Sequence, residues 1–291
     1  MKLIDGVTLC HEHMFIDLSG VKQNEDCRLD CQLETIKEMK ELYNSGVRNI
    51  IDVTNIGIGR NINYIKYIEE QSKINFLIST GFYKDPFLPS VVFTKNEKEL
   101  ANLMINEITV GIDNTDKKAS IIGEIGTSKN YMSELEKKVF VASSIAHLET
   151  NIPITTHTTL GTYGIEQINL LKKYNVNLSK VVIGHVDLSG DLDYILRLID
   201  EGVYIEFDTI GKINYLSDEK RVELLIELVK RGLDDRILMS MDITRKSHLK
   251  YKGGIGYNYL FEIFIPMLKD AGITEKNLNK ILIENPKNLF K

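Results

Sequence analysis

Six side chains of the types that bind metal ions recur along the sequence, and each ends a short apolar run. They are His11, His13, Glu124, His157, His185 and Asp242. Histidine nitrogens and carboxylate oxygens in this proportion suit a pair of divalent ions. A carboxylate buried in an apolar run costs several kcal/mol unless it is paired or bound to a metal, so Glu124 and Asp242 are unusual by themselves. The set predicts a hydrolytic metal site.

The spacing of the first two histidines supports this interpretation. Alternate residues of a strand share a face, so His11 and His13 can hold one ion together. Taken singly, His157 or His185 is better explained as a buried structural histidine. All six residues, however, lie at the ends of short apolar runs, and this shared position favours the metal site. A catalytically silent metal-binding protein would require a broken ligand set, and none of the six residues is missing.

Composition limits the partners that this chain can have. Its 291 residues are 43% hydrophobic and 26% charged, as is usual for globular proteins. A net charge of −5 argues against nucleic acid as the main partner. No apolar run approaches the roughly 18 residues of a transmembrane helix, and the start lacks the apolar stretch of a signal peptide. We therefore expect a small-molecule substrate and no membrane partner, and the sequence leaves a homo-oligomer open.

Cysteine usage indicates the compartment. The chain has three cysteines, Cys10, Cys27 and Cys31. They are too few and too clustered for a disulfide framework, and their odd number leaves one unpaired. A reducing cytoplasm fits this usage best.

Short β-rich runs alternate with longer segments of helical period along the whole sequence. The predicted strands are Val7–Met14, Asn49–Thr54, Asn75–Gly81, Ser120–Thr127, Pro153–Thr158, Val181–Asp187, Tyr204–Thr209 and Ile237–Ile243. The predicted helices are Leu33–Ser45, Ile62–Ser72, Lys95–Ile112, Ser133–Thr150, Ile165–Tyr174, Leu192–Glu201 and Lys220–Arg231, followed by a tail at Tyr257–Ala271 and Glu275–Ile283. Alternation of this kind implies parallel pairing through right-handed crossovers.

Eight strand–helix units predict a single (β/α)8 TIM barrel that occupies residues 1–291 as one domain. The alternative, an open doubly wound sheet, lacks its glycine fingerprint, because Gly57 and Gly59 are not followed by the third glycine. In such barrels the active site lies at the C-terminal ends of the strands. By our strand assignments all six candidate ligands fall there.

The same residues carry a family resemblance that covers essentially the whole chain. Seven motifs together resemble the phosphotriesterase-related branch of the amidohydrolase superfamily. They are Thr8–Met14, Asp26–Asp30, Gly123–Ser128, Thr155–Thr158, Gly184–Asp187, Phe207–Lys212 and Ser240–Leu249. The resemblance implies an amidohydrolase-like barrel with two metals, usually zinc, although manganese or another divalent ion is an alternative. It also implies a more buried ion on His11, His13 and Asp242, and a more exposed ion on His157 and His185.

The bridging position departs from part of that branch. Many relatives bridge the ions with a carboxylated lysine, whereas the matching residue here is Glu124. Both groups are monoanionic and offer two oxygens, so the charge is unchanged, and the site should assemble without carbon dioxide. Two ions would make a bridging hydroxide available at neutral pH, with Asp242 accepting and passing on the proton. The resemblance implies a lactone or carboxylic ester, phosphorylated or not, and the alternative is a phosphotriester or phosphodiester.

Candidate substrate contacts follow other strands. Lys212 and Arg245 come after the seventh and eighth strands, where this fold often builds phosphate sites, and they could clamp an anionic group. The alternative is that both are solvated or tied to nearby carboxylates. Tyr83 follows the third strand and is the third candidate contact. Asp187 and Asp208 follow strand ends and could support ligand histidines.

Overall fold

The computed structural model describes residues 2–291 and contains an eight-stranded parallel barrel that is nearly closed. The strands are β1 (Val7–Glu12), β2 (Val47–Asp52), β3 (Asn75–Thr80), β4 (Ala119–Thr127), β5 (Ile154–Thr158), β6 (Val181–Gly184), β7 (Tyr204–Phe207) and β8 (Ile237–Met239). Each strand pairs with the next one along the chain. The predicted (β/α)8 barrel is confirmed.

Seven longer helices follow the first seven strands and cover the outside of the barrel. They are α1 (Gln32–Asn44), α2 (Ile62–Ser72), α3 (Glu97–Thr109), α4 (Glu134–Thr150), α5 (Gly164–Lys173), α6 (Leu192–Asp200) and α7 (Asp218–Lys230). Helix α4 begins with a capping box, in which Ser133 accepts from the Glu136 amide and Glu136 accepts from the Ser133 amide. Its buried side includes Val139, Ala142 and Ala146 and packs towards the sheet.

Smaller elements lie outside this pattern. A two-stranded sheet pairs Ile16–Asp17 with Arg28–Leu29, and short helices occupy Ser19–Lys22 and Ser90–Thr94. The tail contains Leu260–Phe264, Ile265–Asp270, Glu275–Asn279, Lys280–Glu284 and Asn285–Leu289, of which the first and fourth are π-helical. Residues 2–291 contain no helix with the length and apolarity needed to cross a membrane.

Between β8 and β1 the barrel is completed by side chains and by one backbone hydrogen bond, which the Asp242 amide donates to the His11 carbonyl oxygen at 3.2 Å. Within residues 2–291 no regular ladder joins these two strands. Instead, the Glu12 carboxylate accepts hydrogen bonds from Ser240 Oγ at 2.7 Å, the Met241 amide at 2.7 Å and the Ile243 amide at 3.3 Å. Burial raises the pKa of Glu12 to about 7, although the three donors oppose this shift. We call this junction of Glu12 with residues 240–243 the seam.

Several predicted strands run past the observed ends, and backbone conformation explains two of these differences. Strand β6 ends at Gly184 because His185 adopts a left-handed conformation with φ 58°. Asp242, three residues beyond β8, has φ 50°. A left-handed residue turns the chain out of the ladder, and non-glycine residues with this conformation often occur at functional sites.

Candidate metal centre

The six predicted ligands lie together at the C-terminal end of the barrel. His11 lies within β1, and His13 directly follows that strand. The other four come from β4, β5, the residue after β6 and the segment after β8: Glu124, His157, His185 and Asp242. His11, His13 and Glu124 are at most 3% exposed. Non-adjacent segments therefore bring one set of nitrogen and oxygen ligands into the interior.

An irregularity in β4 presents Glu124. The register against β5 shifts between Ile122 and Ile125. Gly123, inside the shift, has φ 129°, and a Cβ there would lie 2.1 Å from the carbonyl oxygen of Thr155. Only glycine fits such an approach. Asn55 donates a 2.8 Å hydrogen bond to the Glu124 carbonyl oxygen and fixes the backbone, so a bulge directs the carboxylate.

Glu124 is the centre of the cluster. Its Oε2 atom lies 3.1 Å from His157 Nδ1, 3.5 Å from His11 Nε2 and 3.6 Å from His185 Nε2. Its Oε1 atom lies 3.5 Å from His13 Nε2. Two groups with ligand spacing share this residue: one with His11 and His13, the other with His157 and His185. This arrangement places the Glu124 carboxylate between two pairs of histidines.

Outer partners orient the histidines. Thr54 Oγ1 lies 2.8 Å from His13 Nδ1, and Asp208 Oδ1 lies 2.8 Å from His185 Nδ1. In both rings the Nε2 atom is left to face the interior, as is common for metal-binding histidines. Asp208 therefore has the supporting position that we expected. Asp187 instead pairs with the fully buried Arg221 at 2.7 Å, so our expectation that it supports a ligand histidine is wrong.

The buried nitrogens test whether these residues fit metal ions. Among residues 2–291, His11 Nε2 and His13 Nε2 have no hydrogen-bond partner. Buried polar atoms are nearly always satisfied in folded proteins. Both nitrogens face Glu124, and His13 Nε2 also lies 3.4 Å from Asp242 Oδ1. A divalent cation would satisfy nitrogens and carboxylates together, so the residues fit the predicted metal pair.

The candidate ligands are strongly coupled through their charges. Burial alone would raise the pKa of Glu124, but the neighbouring imidazoles of His11, His157 and His185 hold it well below its usual range. Burial lowers the pKa of His157 to about 4, with a contribution from the His185 cation. The pKa of His185 rises to about 10, because Asp208 outweighs burial.

A cavity of about 580 Å³ opens onto these ligands, and all three candidate substrate contacts line it. The Tyr83 hydroxyl lies 3.2 Å from His157 Nδ1. The Lys212 ammonium donates to the carboxylate and the carbonyl oxygen of Asp242. Arg245 lies 3.7 Å from Asp26. Both cations thus have carboxylate neighbours, and substrate contact by the three residues stays a prediction.

Sequence reasoning missed several residues around the site. Glu206 is a buried carboxylate 3.4 Å from His11 Nδ1, and burial raises its pKa to about 7. Its position between Ile205 and Phe207 carries the same signal that marked Glu124. Glu12 lies between the two ligand histidines, so strand alternation places it on the opposite face. Lys22 has no local signal that would have placed it in the cavity.

We expect about two divalent ions per chain, because the ligand set supplies four nitrogens and two carboxylates. The measurement is elemental analysis of the protein after mild purification and after incubation with zinc. A ratio at or below one that does not rise on zinc addition would contradict the two-ion centre.

Comparison with known proteins agrees with this geometry. The family model described as Phosphotriesterase family matches residues 3–290. The chain is 49% identical to the phosphotriesterase homology protein of Escherichia coli over 98% of both chains. The crystal structure of that protein with phosphate in its active site superposes with a TM-score of 0.97, at 48% identity and 99% coverage of both chains.

Other relatives have names that specify reactions. An aryldialkylphosphatase of Saccharolobus solfataricus is 32% identical over 98% of this chain and 95% of its own length. An N-acetyltaurine hydrolase of Dictyostelium discoideum is 33% identical over 98% of this chain and 80% of its own length. Because these relatives are hydrolases, the prediction of a hydrolytic enzyme is confirmed. The chain belongs to the phosphotriesterase family.

Proposed function

We propose that the chain is a binuclear metal-dependent hydrolase of a lactone or carboxylic ester, including phosphorylated forms. The observation that carries this proposal is the pair of ligand groups that share Glu124 at the base of a cavity. His11, His13 and Asp242 would hold one ion, and His157 and His185 the other. When bound, divalent ions activate water for attack and polarise a carbonyl or phosphoryl oxygen. Zinc suits these ligands.

Asp242 would move the proton in this reaction. Its carboxylate forms an ion pair with Lys212. Burial raises the pKa of Asp242, but the Lys212 cation outweighs burial and keeps this pKa below its usual value. An Asp242 carboxylate held ionised is ready to accept a proton from the attacking water. It would then hand that proton on to the leaving group as a general acid. Lys212 would position Asp242 in this step.

Contacts to the substrate would come from the cavity wall. The Tyr83 hydroxyl could donate to an oxygen next to the bond that is cleaved, and Arg245 retains donors beyond its contact with Asp26. The cavity wall also includes Ile16, Leu18 and Leu188, which suit the carbon skeleton of a small ester or lactone.

The buried thiols of Cys10 and Cys27 suit a reducing cytoplasm.

A second candidate is hydrolysis of phosphotriesters or phosphodiesters at the same ligands. It is favoured by the aryldialkylphosphatase among the relatives. The two candidates differ in the electrophile, a carbonyl carbon in one and phosphorus in the other. The set of ligands suits both.

An activity screen tests the proposal. We expect zinc- or manganese-loaded protein to hydrolyse members of a panel of lactones and aryl esters faster than organophosphates, and chelator-treated protein to be inactive until metal is restored. Hydrolysis of organophosphates alone would replace the proposal by the second candidate. Equal activity with and without metal would exclude a metal-dependent mechanism.

Lys212→Met should reduce kcat by about 10- to 150-fold for neutral and anionic esters alike, since one charged hydrogen bond is worth roughly 1.5–3 kcal/mol and Lys212 acts through Asp242. Methionine keeps the length of the buried side chain. The measurement is steady-state kinetics with a matched neutral and carboxylate-bearing ester. A rise in KM confined to the anionic ester would show instead that Lys212 binds the substrate directly.

A further inference from the structure

Two other lysines line the cavity, and they lie in the segments that follow β1 and β3. Lys22 ends the short helix Ser19–Lys22, and Lys84 follows β3. Each ammonium nitrogen lies 5.8 Å from the centroid of the Phe87 ring. Phe87 therefore holds two cations near one wall of the cavity.

Lys84 is built into this wall. A Cβ at Gly126 would lie 3.2 Å from Lys84 Cδ and 3.3 Å from Lys84 Cβ, so glycine at this position of β4 leaves room for the lysine stem. The ammonium donates to the carbonyl oxygen of Asp85 at 2.8 Å. Since an ammonium carries three donors, two remain for a ligand.

The carboxylates nearest to Lys84 have other partners. The Asp85 carboxylate accepts from Ser133 Oγ. Glu136 Oε1 accepts from Ser128 Oγ at 2.8 Å and from the Asp85 amide at 3.3 Å. Neither Lys22 nor Lys84 forms an ion pair with a carboxylate of residues 2–291, whereas Arg245 and Lys212 lie beside Asp26 and Asp242.

Lys84 is partly buried and Lys22 is exposed, and a partly buried cation without an ion-pair partner is unfavourable. Burial lowers the pKa of Lys84, which records this cost. An anion at the same place would offset it by accepting charge-assisted hydrogen bonds. Among the lysines and arginines that line this cavity, those without an ion-pair partner are thus Lys22 and Lys84.

We propose that Lys22 and Lys84 bind an anionic group of the substrate, a carboxylate, phosphate or sulfonate, away from the bond that is cleaved. This inference rests on the proposed function only for the identity of that bond. It makes the preferred substrate an ester or lactone with a compact anion at one end. It also places that anion at the Lys22 and Lys84 side rather than at Arg245.

Equilibrium binding of carboxylates tests this assignment without turnover. The probes are succinate, glutarate and adipate, each compared with the monocarboxylate of equal length, namely butyrate, valerate or hexanoate. One carboxylate of each probe would bind at the metal centre. Only the dicarboxylates have a second carboxylate for the two lysines. Calorimetric titration of the zinc-loaded protein should show that at least one dicarboxylate binds tenfold or more tightly than its partner.

Variants of the cavity lysines test whether these residues cause the preference for the dicarboxylate. In the double variant Lys22→Met/Lys84→Met the preference should fall to about one, whereas Arg245→Met and the exposed control Lys173→Met should retain it. Methionine keeps the unbranched stems, and zinc content reports an intact site. The inference is overturned if wild-type protein shows no preference, if the double variant keeps it, or if Arg245→Met removes it. Loss of all hydrolysis with this pattern intact would refute the proposed function alone.

Discussion

Asp242→Asn should lower kcat by about 10²- to 10⁴-fold, the usual contribution of a positioned acid or base. The amide keeps the shape of the side chain and can still offer an oxygen to a metal, but it cannot accept the proton. It also loses the ion pair with Lys212. We therefore expect the chemical step to suffer far more than metal content. Single-turnover kinetics and metal analysis on the same sample measure the two effects.

Asp234, at the other end of β8, provides a matched control for the change at Asp242. Asp234 lies before β8, at the opposite end of that strand, and pairs with Lys280 at 2.9 Å. Asp234→Asn should leave kcat close to that of the wild type, with its effect confined to stability. If Asp242→Asn lost activity only in proportion to lost metal, Asp242 would be a ligand and not a proton carrier.

Glu124→Gln should abolish activity and release one of the two ions. A neutral amide removes the negative charge that four histidines surround, and even partners of ligands change metal affinity by roughly 10- to 100-fold. We expect a loss of more than about 100-fold in kcat/KM, with the far-ultraviolet circular dichroism spectrum retained. The measurement is metal stoichiometry alongside kinetics.

Glu136→Gln is the control for this change. Glu136 is a buried glutamate that caps α4, and it is absent from the set of ligands. Its replacement should leave two ions bound. Full activity and two ions in Glu124→Gln would remove Glu124 from the centre.

The barrel could be predicted because its signals are local. Each strand and helix has its own apolar period, and His11, Glu124 and His157 stand near the ends of apolar runs. The exact strand ends could not be predicted in the same way. His185 and Asp242 leave the ladder through left-handed backbone conformations, which depend on the fold around them and not on a local pattern.

Partners of the site residues were harder to predict than the residues themselves. The contact of Lys212 with Asp242 spans 30 positions, and that of Glu12 with Ser240 spans 228. No spacing rule relates residues so far apart. Lys22 reaches the cavity from a four-residue helix, too short to leave a periodic pattern. The convergence of the six candidate ligands was therefore predictable, whereas their electrostatic environment was not.

The seam implies that the candidate metal centre forms late in folding. Glu12 belongs to the first strand, yet all three of its hydrogen-bond donors lie between residues 240 and 243. The N-terminal part of the chain is synthesised first. More than two hundred further residues must therefore be made before residues 240–243 are available to pair with β1. Contacts of such long range form slowly. The first histidines of the chain thus belong to a candidate metal centre that only the nearly finished polypeptide can assemble.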